Sequence, residues 1–190
     1  MTTDAPSAGK KHNMEAENMT RKLPKILSEE EILKLFEITY NPQHRLQLKL
    51  LYYCGLRISE MLSLKKQDLD FKDEILKVVQ GKGGKDRLVP LPKPLLADLQ
   101  KYVADLQDHD KLFDTTARNT QAVISRLGKK LSKKLHAHML RHSYATHVLE
   151  KTNNLELVRD LLGHSNIQTT QIYTHLTTKA KKAGINEVWK

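Results

Sequence analysis

Polar and apolar positions in the first part of the chain repeat with the period of a helix. Ser28 and Glu31 form the sequence pattern of a capping box, which predicts a helix from Ser28 to about Thr39. Pro42 predicts the start of a second helix with one apolar face, and Gly55 predicts its end. The ordered part of the chain is therefore expected to open with two helices.

The period then changes from helical to alternating. Residues 75–79 and 87–91 have the composition of two short strands, and the glycine-rich segment 81–85 between them is typical of a hairpin loop. Residues 68–71 are expected to add a short edge strand. The pattern predicts one small antiparallel sheet.

Helical periodicity returns in the rest of the chain. Further helices are expected at residues 58–64, 92–107, 118–133, 138–151, 155–162, 166–174 and 177–188. Residues 1–21 show neither period and are expected to be a disordered tail or linker, which leaves residues 22–190 as one domain. The fold class is accordingly mainly α with a small antiparallel β-sheet.

Length and composition narrow the class of protein. With 190 residues and a mass of 21.8 kDa, the chain suits one domain with a full core or a domain plus a tail. It has no apolar run long enough to span a membrane and no apolar signal segment near its start. The single cysteine, Cys54, excludes an internal disulfide framework and is expected to be a buried structural thiol. We expect a cytoplasmic, chromosome-associated protein without a membrane partner.

The charge balance indicates the kind of partner. The net charge is +10 and the sequence pI is about 9.6, which favours a polyanion because bound phosphates release counterions. Aromatic residues make up only 5% of the chain, which argues against a single-strand binder that stacks bases on aromatic rings. Double-stranded DNA is therefore the expected partner.

Each charged cluster also has an ordinary structural interpretation. The spacing of Arg57 and Glu60 allows a local surface ion pair, and Lys82 could be a solvated lysine at a loop tip. The lysine hairpin is a poor P-loop, because its spacing differs and it joins two strands instead of a strand and a helix. A catalytic interpretation therefore depends on more than one cluster.

The histidines and the C-terminal tyrosine have ordinary interpretations as well. His138 and His142 have the spacing of a helical metal pair, but Arg141 between them would repel a cation and no catalytic Glu is present. His142 and His147 have apolar neighbours, which is typical of core or boundary histidines. Tyr173 alone is compatible with a packed ring and a wet hydroxyl.

Taken together, the clusters contain the groups needed to cleave a phosphodiester without a metal. Two guanidinium groups can bind the non-bridging oxygens and offset the charge that develops in the transition state. A tyrosine hydroxyl, with a pKa of about 10 in water, needs nearby positive charge or a base to become a nucleophile. The 5′-alkoxide is a poor leaving group, so a cationic acid such as lysine must protonate it.

The motifs that hold these groups resemble those of the tyrosine recombinase (phage integrase) family, and most of all its Xer-like members. They follow the family's order and about its spacing over residues 23–180. The matching segments are Gly55-Leu56-Arg57-Ile58-Ser59-Glu60, Gly81-Lys82-Gly83, Asp86-Arg87, Val89-Pro90-Leu91, His138-Met139-Leu140-Arg141-His142, Ala145-Thr146-His147, Leu161-Leu162-Gly163-His164-Ser165 and Thr169-Thr170-Gln171-Ile172-Tyr173-Thr174-His175.

The resemblance implies a fold and a set of catalytic residues. The fold would be the family's catalytic domain, with Arg57 and Arg141 holding the scissile phosphate. Tyr173 would attack that phosphate to leave a 3′-phosphotyrosyl bond and a free 5′-hydroxyl. Lys82 would be the general acid, and it is preferred to Lys85 because it matches the family's first lysine.

The remaining roles that the resemblance implies are supporting ones. His138 would assist proton transfer at the tyrosine, His164 would hydrogen-bond the phosphate, and Glu60 would orient the active-site groups. No cofactor and no metal would be needed, because the phosphotyrosyl bond conserves the energy for rejoining. In the family four protomers act on two paired DNA sites and a C-terminal segment docks on a neighbour, for which residues 177–190 could serve. The chain would then be a homotetramer on DNA and could be a monomer in isolation.

Two features depart from the Xer pattern. About twenty disordered-looking residues stand where Xer-type members carry an N-terminal DNA-clamping domain, so we expect that domain to be absent. The chain is then either a catalytic fragment or similar to the short recombinases that invert promoter segments. Ala137 occupies a position where the family commonly has proline, which is expected to matter little.

Two other functions use the same scaffold or chemistry. A DNA-binding regulator would keep the fold without turnover, with residues 155–174 as groove-reading helices, but it would not need the Arg, Lys and Tyr groups. A relaxing topoisomerase would use the same chemistry without strand exchange between two sites. Site-specific recombination is the leading hypothesis.

Overall fold

A computed structural model describes residues 25–79 and 86–163, together with residues 185, 188 and 189. The elements in chain order are α1 (Glu29–Glu37), α2 (Pro42–Tyr53), α3 (Ile58–Ser63), a 3₁₀ turn (Lys66–Asp68), β1 (Leu69–Asp70), β2 (Ile75–Val78), β3 (Arg87–Pro90), α4 (Lys93–Tyr102), α5 (Ala117–Lys130), α6 (Ala137–Thr152) and α7 (Leu155–Leu162).

The described part of the chain is mainly helical with one small sheet, as the hydrophobic pattern predicts. The sheet has the order β1-β2-β3, and both pairings are antiparallel. Leu76 lies opposite both Leu69 and Val89, which aligns the apolar positions on one face. The fold class predicted from the sequence is confirmed.

One helix is shorter than its periodicity predicts. The pattern favours a helix over residues 92–107, but α4 ends at Tyr102. The following residues bind the 3₁₀ turn instead: the Lys66 amide donates to the Asp110 carbonyl at 3.1 Å and the Gln67 amide donates to the Asp108 carbonyl at 2.9 Å. The Gln107 amide donates to the Asp110 carboxylate at 2.7 Å, so it does not make the bond four positions back that a helix continued to residue 107 would need.

The predicted ends of the chain fall largely outside the described residues. This holds for the expected disorder of residues 1–21 and for the helices expected at 166–174 and 177–188, apart from residues 185, 188 and 189. Ile185 and Val188 are buried, and the Trp189 ring lies 5.0 Å from the Tyr52 ring, centroid to centroid. These three residues of the C-terminal segment pack on their own chain.

Helix α2 lies at the centre of the core. It packs against helices α1, α3, α4, α5 and α6, and its Leu50 and Leu51 are fully buried. Cys54 follows it and is also fully buried, as expected, and burial raises the pKa of its thiol to about 12. The position of α2 brings its C-terminal end beside α6 and α3. No helix in the described ranges has the length and apolar character to cross a membrane.

The turn after α2 requires glycine. Gly55 has a φ of +57°, where a side chain is strained, and a Cβ added there would lie 2.5 Å from the Tyr144 ring of α6. The close approach of α6 places the carbonyl oxygen of Gly55 within reach of Arg141. The glycine therefore serves both the turn and the neighbouring cluster of charges.

We predict that Gly55→Ala lowers the free energy of unfolding by about 2 to 4 kcal/mol, because positive φ and a steric overlap both oppose the methyl group. The measurement is urea unfolding. Ser125→Ala is the control, because Ser125 is exposed on α5 and its change should leave the midpoint nearly unmoved. Equal stability of Gly55→Ala and the wild type would contradict the packing described at this turn.

Candidate active site

The site begins with the first turn of α3. Arg57 is the N-cap of this helix, and its backbone amide donates to Glu60 Oε2 at 2.7 Å. Its Nη1 also donates to Glu60 Oε1 at 2.7 Å. The Arg57 side chain is 43% exposed whereas that of Glu60 is 7% exposed, so the carboxylate is interior and the guanidinium reaches the surface. The pair is therefore more than a surface feature.

A second arginine binds the same carboxylate. Arg87, the first residue of β3, donates from Nη1 and Nη2 to the two oxygens of Glu60, both at 2.9 Å. Its Nε donates to the Leu161 carbonyl at 3.0 Å, so each nitrogen of the guanidinium has an acceptor. From the sequence, Arg87 was expected only as part of the Asp86-Arg87 motif. The sequence did hold a signal: in a strand, Arg87 and Val89 lie on the same, buried face. A charged side chain on such a face needs a partner.

Arg141 enters the cluster from α6. It is buried, and its Nη1 donates to the Gly55 carbonyl at 2.5 Å while its Nη2 donates to the Leu162 carbonyl at 2.7 Å. Its Nη1 lies 3.7 Å from Glu60 Oε2, which is an ion pair rather than a hydrogen bond. Helix α6 thus brings a third guanidinium to the one carboxylate.

The electrostatics of the cluster are set by burial and by these contacts. Burial alone would raise the pKa of Glu60, but the hydrogen bonds from Arg87 and Arg57 lower it to about 2. Burial and the neighbouring charge of Arg57 lower the pKa of Arg141 to about 10, so it is still a cation at neutral pH. Among the described residues, the three guanidinium groups and the one carboxylate of this cluster carry a net charge of two positive units.

His138 lies one turn before Arg141 on α6 and is exposed. Its ring is 4.2 Å from that of His142, centroid to centroid. Although the residue is exposed, partial desolvation of its ring by neighbouring groups lowers the pKa of His138, and the electrostatic effects of His142 and Arg141 lower it further. A lower pKa favours the neutral imidazole, which can accept a proton at neutral pH. No group of three metal-ligating side chains occurs in the part of the chain that the structure describes.

The start of α6 is held by a histidine. His136 is the N-cap, and its Nδ1 accepts a hydrogen bond from the Met139 amide at 3.1 Å. The Gln121 side chain of α5 accepts from the Ala137 amide, which fastens the same turn. This cap was not predicted, because histidine is not among the usual N-cap residues.

His147, in the same helix, is buried, and its Nδ1 lies 2.7 Å from the Tyr52 hydroxyl. It is the core histidine that its apolar neighbours indicated.

Three predicted catalytic residues lie outside the described residues: Lys82, His164 and Tyr173. Strands β2 and β3 flank the segment that contains Lys82, and α7 ends two positions before His164. The structure therefore brings together Arg57, Glu60 and Arg141, with His138 one helical turn away, and the positions of the other three stay predictions.

The chain matches the model of the phage integrase family over residues 25–180. It belongs to the phage integrase family. It is 39% identical over 177 residues to tyrosine recombinase XerA of Pyrococcus horikoshii, in a match that covers 88% of this chain and 62% of that relative. The chain thus spans less than two thirds of that relative's length.

Two solved structures of Xer recombinases resemble this fold. A crystal structure of XerA recombinase is matched with a TM-score of 0.69 and 33% identity, over 83% of this chain and 63% of that one. A XerH site-specific recombinase bound to its difH substrate is matched with a TM-score of 0.64 and 29% identity, over 84% of this chain and 53% of that one. The predicted catalytic-domain fold is confirmed by these likenesses.

We predict that the buried carboxylate makes stability depend on pH. The pKa of Glu60 is about 2 in the folded protein against an ordinary value of 4.5, so its contribution is complete above about pH 4.5 and is lost as pH falls towards 2. The stability difference between wild type and Glu60→Gln should shrink over that range by roughly 3 kcal/mol. Urea unfolding at several pH values measures it.

Glu37→Gln, at an exposed position of α1, is the control for the loss of one carboxylate. A difference between wild type and Glu60→Gln that stays constant from pH 5 to pH 2 would contradict the role of the ionised carboxylate.

We also predict that the cap of α6 can be exchanged but not removed. His136→Ala should lower the free energy of unfolding by about 1 kcal/mol, because the Met139 amide loses its acceptor, whereas His136→Asn should keep most of that stability. Thermal and urea unfolding of both variants test this. Equal losses in the two variants would show that the imidazole acts by packing rather than as a cap.

Proposed function

We propose that the chain is the catalytic part of a tyrosine-type site-specific DNA recombinase, which cleaves and rejoins strands through a 3′-phosphotyrosyl intermediate. The observation that carries the proposal is the cluster in which Arg57, Arg87 and Arg141 surround the single carboxylate of Glu60. Its excess of positive charge is a preorganised site for an anion. Membership of the phage integrase family supports DNA strand transfer as the reaction.

The two predicted phosphate-binding arginines differ in how they are held. Arg57 is 43% exposed and uses one side-chain nitrogen for Glu60, so its other N–H groups can bind a non-bridging oxygen. Arg141 is held by two carbonyls, which fix its guanidinium before the phosphate arrives. A fixed donor needs no reorganisation during the reaction, and this favours the transition state.

The proposed reaction needs no cofactor, because protein side chains supply the nucleophile and transfer both protons. The Tyr173 oxygen attacks phosphorus as its proton passes to a base, the bond to the 5′-oxygen breaks, and Lys82 protonates that oxygen. His138 is suited to the base role because its lowered pKa keeps it neutral. His164 would hydrogen-bond the phosphate. Attack by a 5′-hydroxyl on the phosphotyrosyl bond reverses the sequence and rejoins a strand.

Double-stranded DNA is the proposed substrate. The chain carries a net charge of +10, and the XerH relative was solved with its difH substrate. Exposed basic side chains lie on α5 and on the segment that follows it: Arg118, Arg126, Lys129, Lys130 and Lys134. We propose that this face contacts the DNA backbone, that four protomers assemble on two paired sites, and that the protein acts on chromosomal DNA in the cytoplasm.

The test uses a pool of short nicked duplexes of randomised sequence, in which a cleaved fragment diffuses away and the covalent intermediate is trapped. Wild type should give a protein–DNA adduct that survives denaturation, and sequencing the attached DNA identifies the preferred site. Tyr173→Phe should abolish the adduct, while Tyr40→Phe, at a tyrosine that is 85% exposed, should leave it unchanged. An adduct that survives Tyr173→Phe would contradict the assigned nucleophile.

Two other results would favour other functions. Duplex binding without any adduct would indicate a DNA-binding regulator. Relaxation of supercoiled DNA without exchange between two sites would indicate a topoisomerase.

A further inference from the structure

We propose that Arg87 is a positioning residue for this reaction: it holds Glu60 and the end of α7 so that Arg57 and Arg141 are set for the phosphate. The inference rests on the proposed function, because it assigns a role within that active site. It concerns a side chain that is 6% exposed and does not need to touch the DNA.

The carboxylate of Glu60 is saturated with hydrogen bonds from Arg57 and Arg87. Oε1 accepts from Nη1 of Arg57 and from Nη1 of Arg87, and Oε2 accepts from the Arg57 amide and from Nη2 of Arg87. A carboxylate has about four lone-pair sites, so these four bonds occupy its capacity. Arg141, 3.7 Å away, consequently makes its hydrogen bonds to carbonyls and not to Glu60.

The orientation of the Arg57 side chain depends on Glu60. Within the described part of the chain, Nη1 is the one side-chain nitrogen of Arg57 that is held, and Glu60 holds it. Glu60 is buried, so without the fork of Arg87 it would lose two of its four hydrogen bonds in a poorly solvated place. The carboxylate would then turn towards Arg141 or become protonated. In either case its hydrogen bond with the Arg57 side chain would weaken.

Arg87 and Arg141 both bind the C-terminal end of α7. Arg87 Nε binds the Leu161 carbonyl and Arg141 Nη2 binds the Leu162 carbonyl, which are neighbouring acceptors at the negative end of the helix. Loss of Arg87 leaves one of these two bonds. Because the same helix end fixes Arg141, a change at β3 is transmitted to the second arginine of the pair.

A matched set of variants separates positioning from general destabilisation. Arg87→Met removes charge and bonds, and Arg87→Lys keeps the charge but cannot form the fork. Val89→Ala is the control, because Val89 is fully buried in the same strand and its truncation weakens the core without touching the cluster. All variants are compared at a temperature at which each is fully folded.

The functional readout uses two nicked duplexes of the selected sequence, one with the normal scissile phosphate and one with a neutral methylphosphonate there. Both Arg87 variants should cleave the normal duplex roughly tenfold to a hundredfold more slowly than wild type. On the methylphosphonate duplex the difference in cleavage rate between wild type and the Arg87 variants should shrink to about threefold. The neutral group has no negative charge for Arg57 and Arg141 to stabilise before the reaction begins. Val89→Ala should match wild type on both duplexes.

An equal defect on both duplexes would overturn the proposal, since a purely structural defect would not depend on the negative charge of the non-bridging oxygens. Full activity of Arg87→Lys would also overturn it, since the charge alone would then suffice.

A second readout does not depend on cleavage. Nitrogen NMR of the free protein, with the Arg57 signal assigned from its absence in Arg57→Lys, reports whether that guanidinium is held. We expect resolved Nη signals in wild type and Val89→Ala, and rotationally averaged ones in Arg87→Met. Held Nη signals in Arg87→Met would overturn the proposal, whereas absence of an adduct with wild type would count only against the proposed function.

Discussion

One buried carboxylate, that of Glu60, determines the arrangement of the site. Three guanidinium groups approach it from α3, β3 and α6, parts of the chain that are far apart in sequence. Without this anion, three like charges could not share so small and poorly solvated a volume. Without them, the carboxylate would be costly to bury, as its pKa of about 2 in their presence reflects. The charged site and the packing of the domain thus depend on each other.

The balance of charge in this cluster also suits it to the proposed phosphate. The carboxylate offsets one of the three positive charges, and the lowered pKa of Arg141 reflects burial and the repulsion of Arg57. A phosphate entering beside Arg57 would relieve part of that repulsion, and it would do so most when negative charge develops in the transition state. Backbone carbonyls at Gly55, Leu161 and Leu162 complete the support, so the turn after α2 and the end of α7 belong to the site as much as to the fold.

Much of the fold could be predicted from the sequence because its signals are local. The capping box at Ser28, the proline at the start of α2 and the alternation in β2 each act within a few residues. The Arg57–Glu60 contact was accessible for the same reason, since three positions on a helix place the two side chains together. Arg87 was not singled out, because its partners, Glu60 and Leu161, are remote in sequence. The predicted length of α4 was wrong, because the Gln107 amide bonds to the Asp110 side chain instead of continuing the helix.

We propose that the charged groups gathered by Glu60 surround one scissile phosphate together with Tyr173. A crystal structure of Tyr173→Phe bound to an intact duplex of its preferred sequence tests this most directly. We expect Arg57 and Arg141 both to lie about 3 Å from oxygens of the same phosphate, with the bonds of Glu60 retained and residue 173 of one subunit facing the phosphorus. A phosphate bound elsewhere, or residue 173 remote from both guanidinium groups in every subunit, would contradict it.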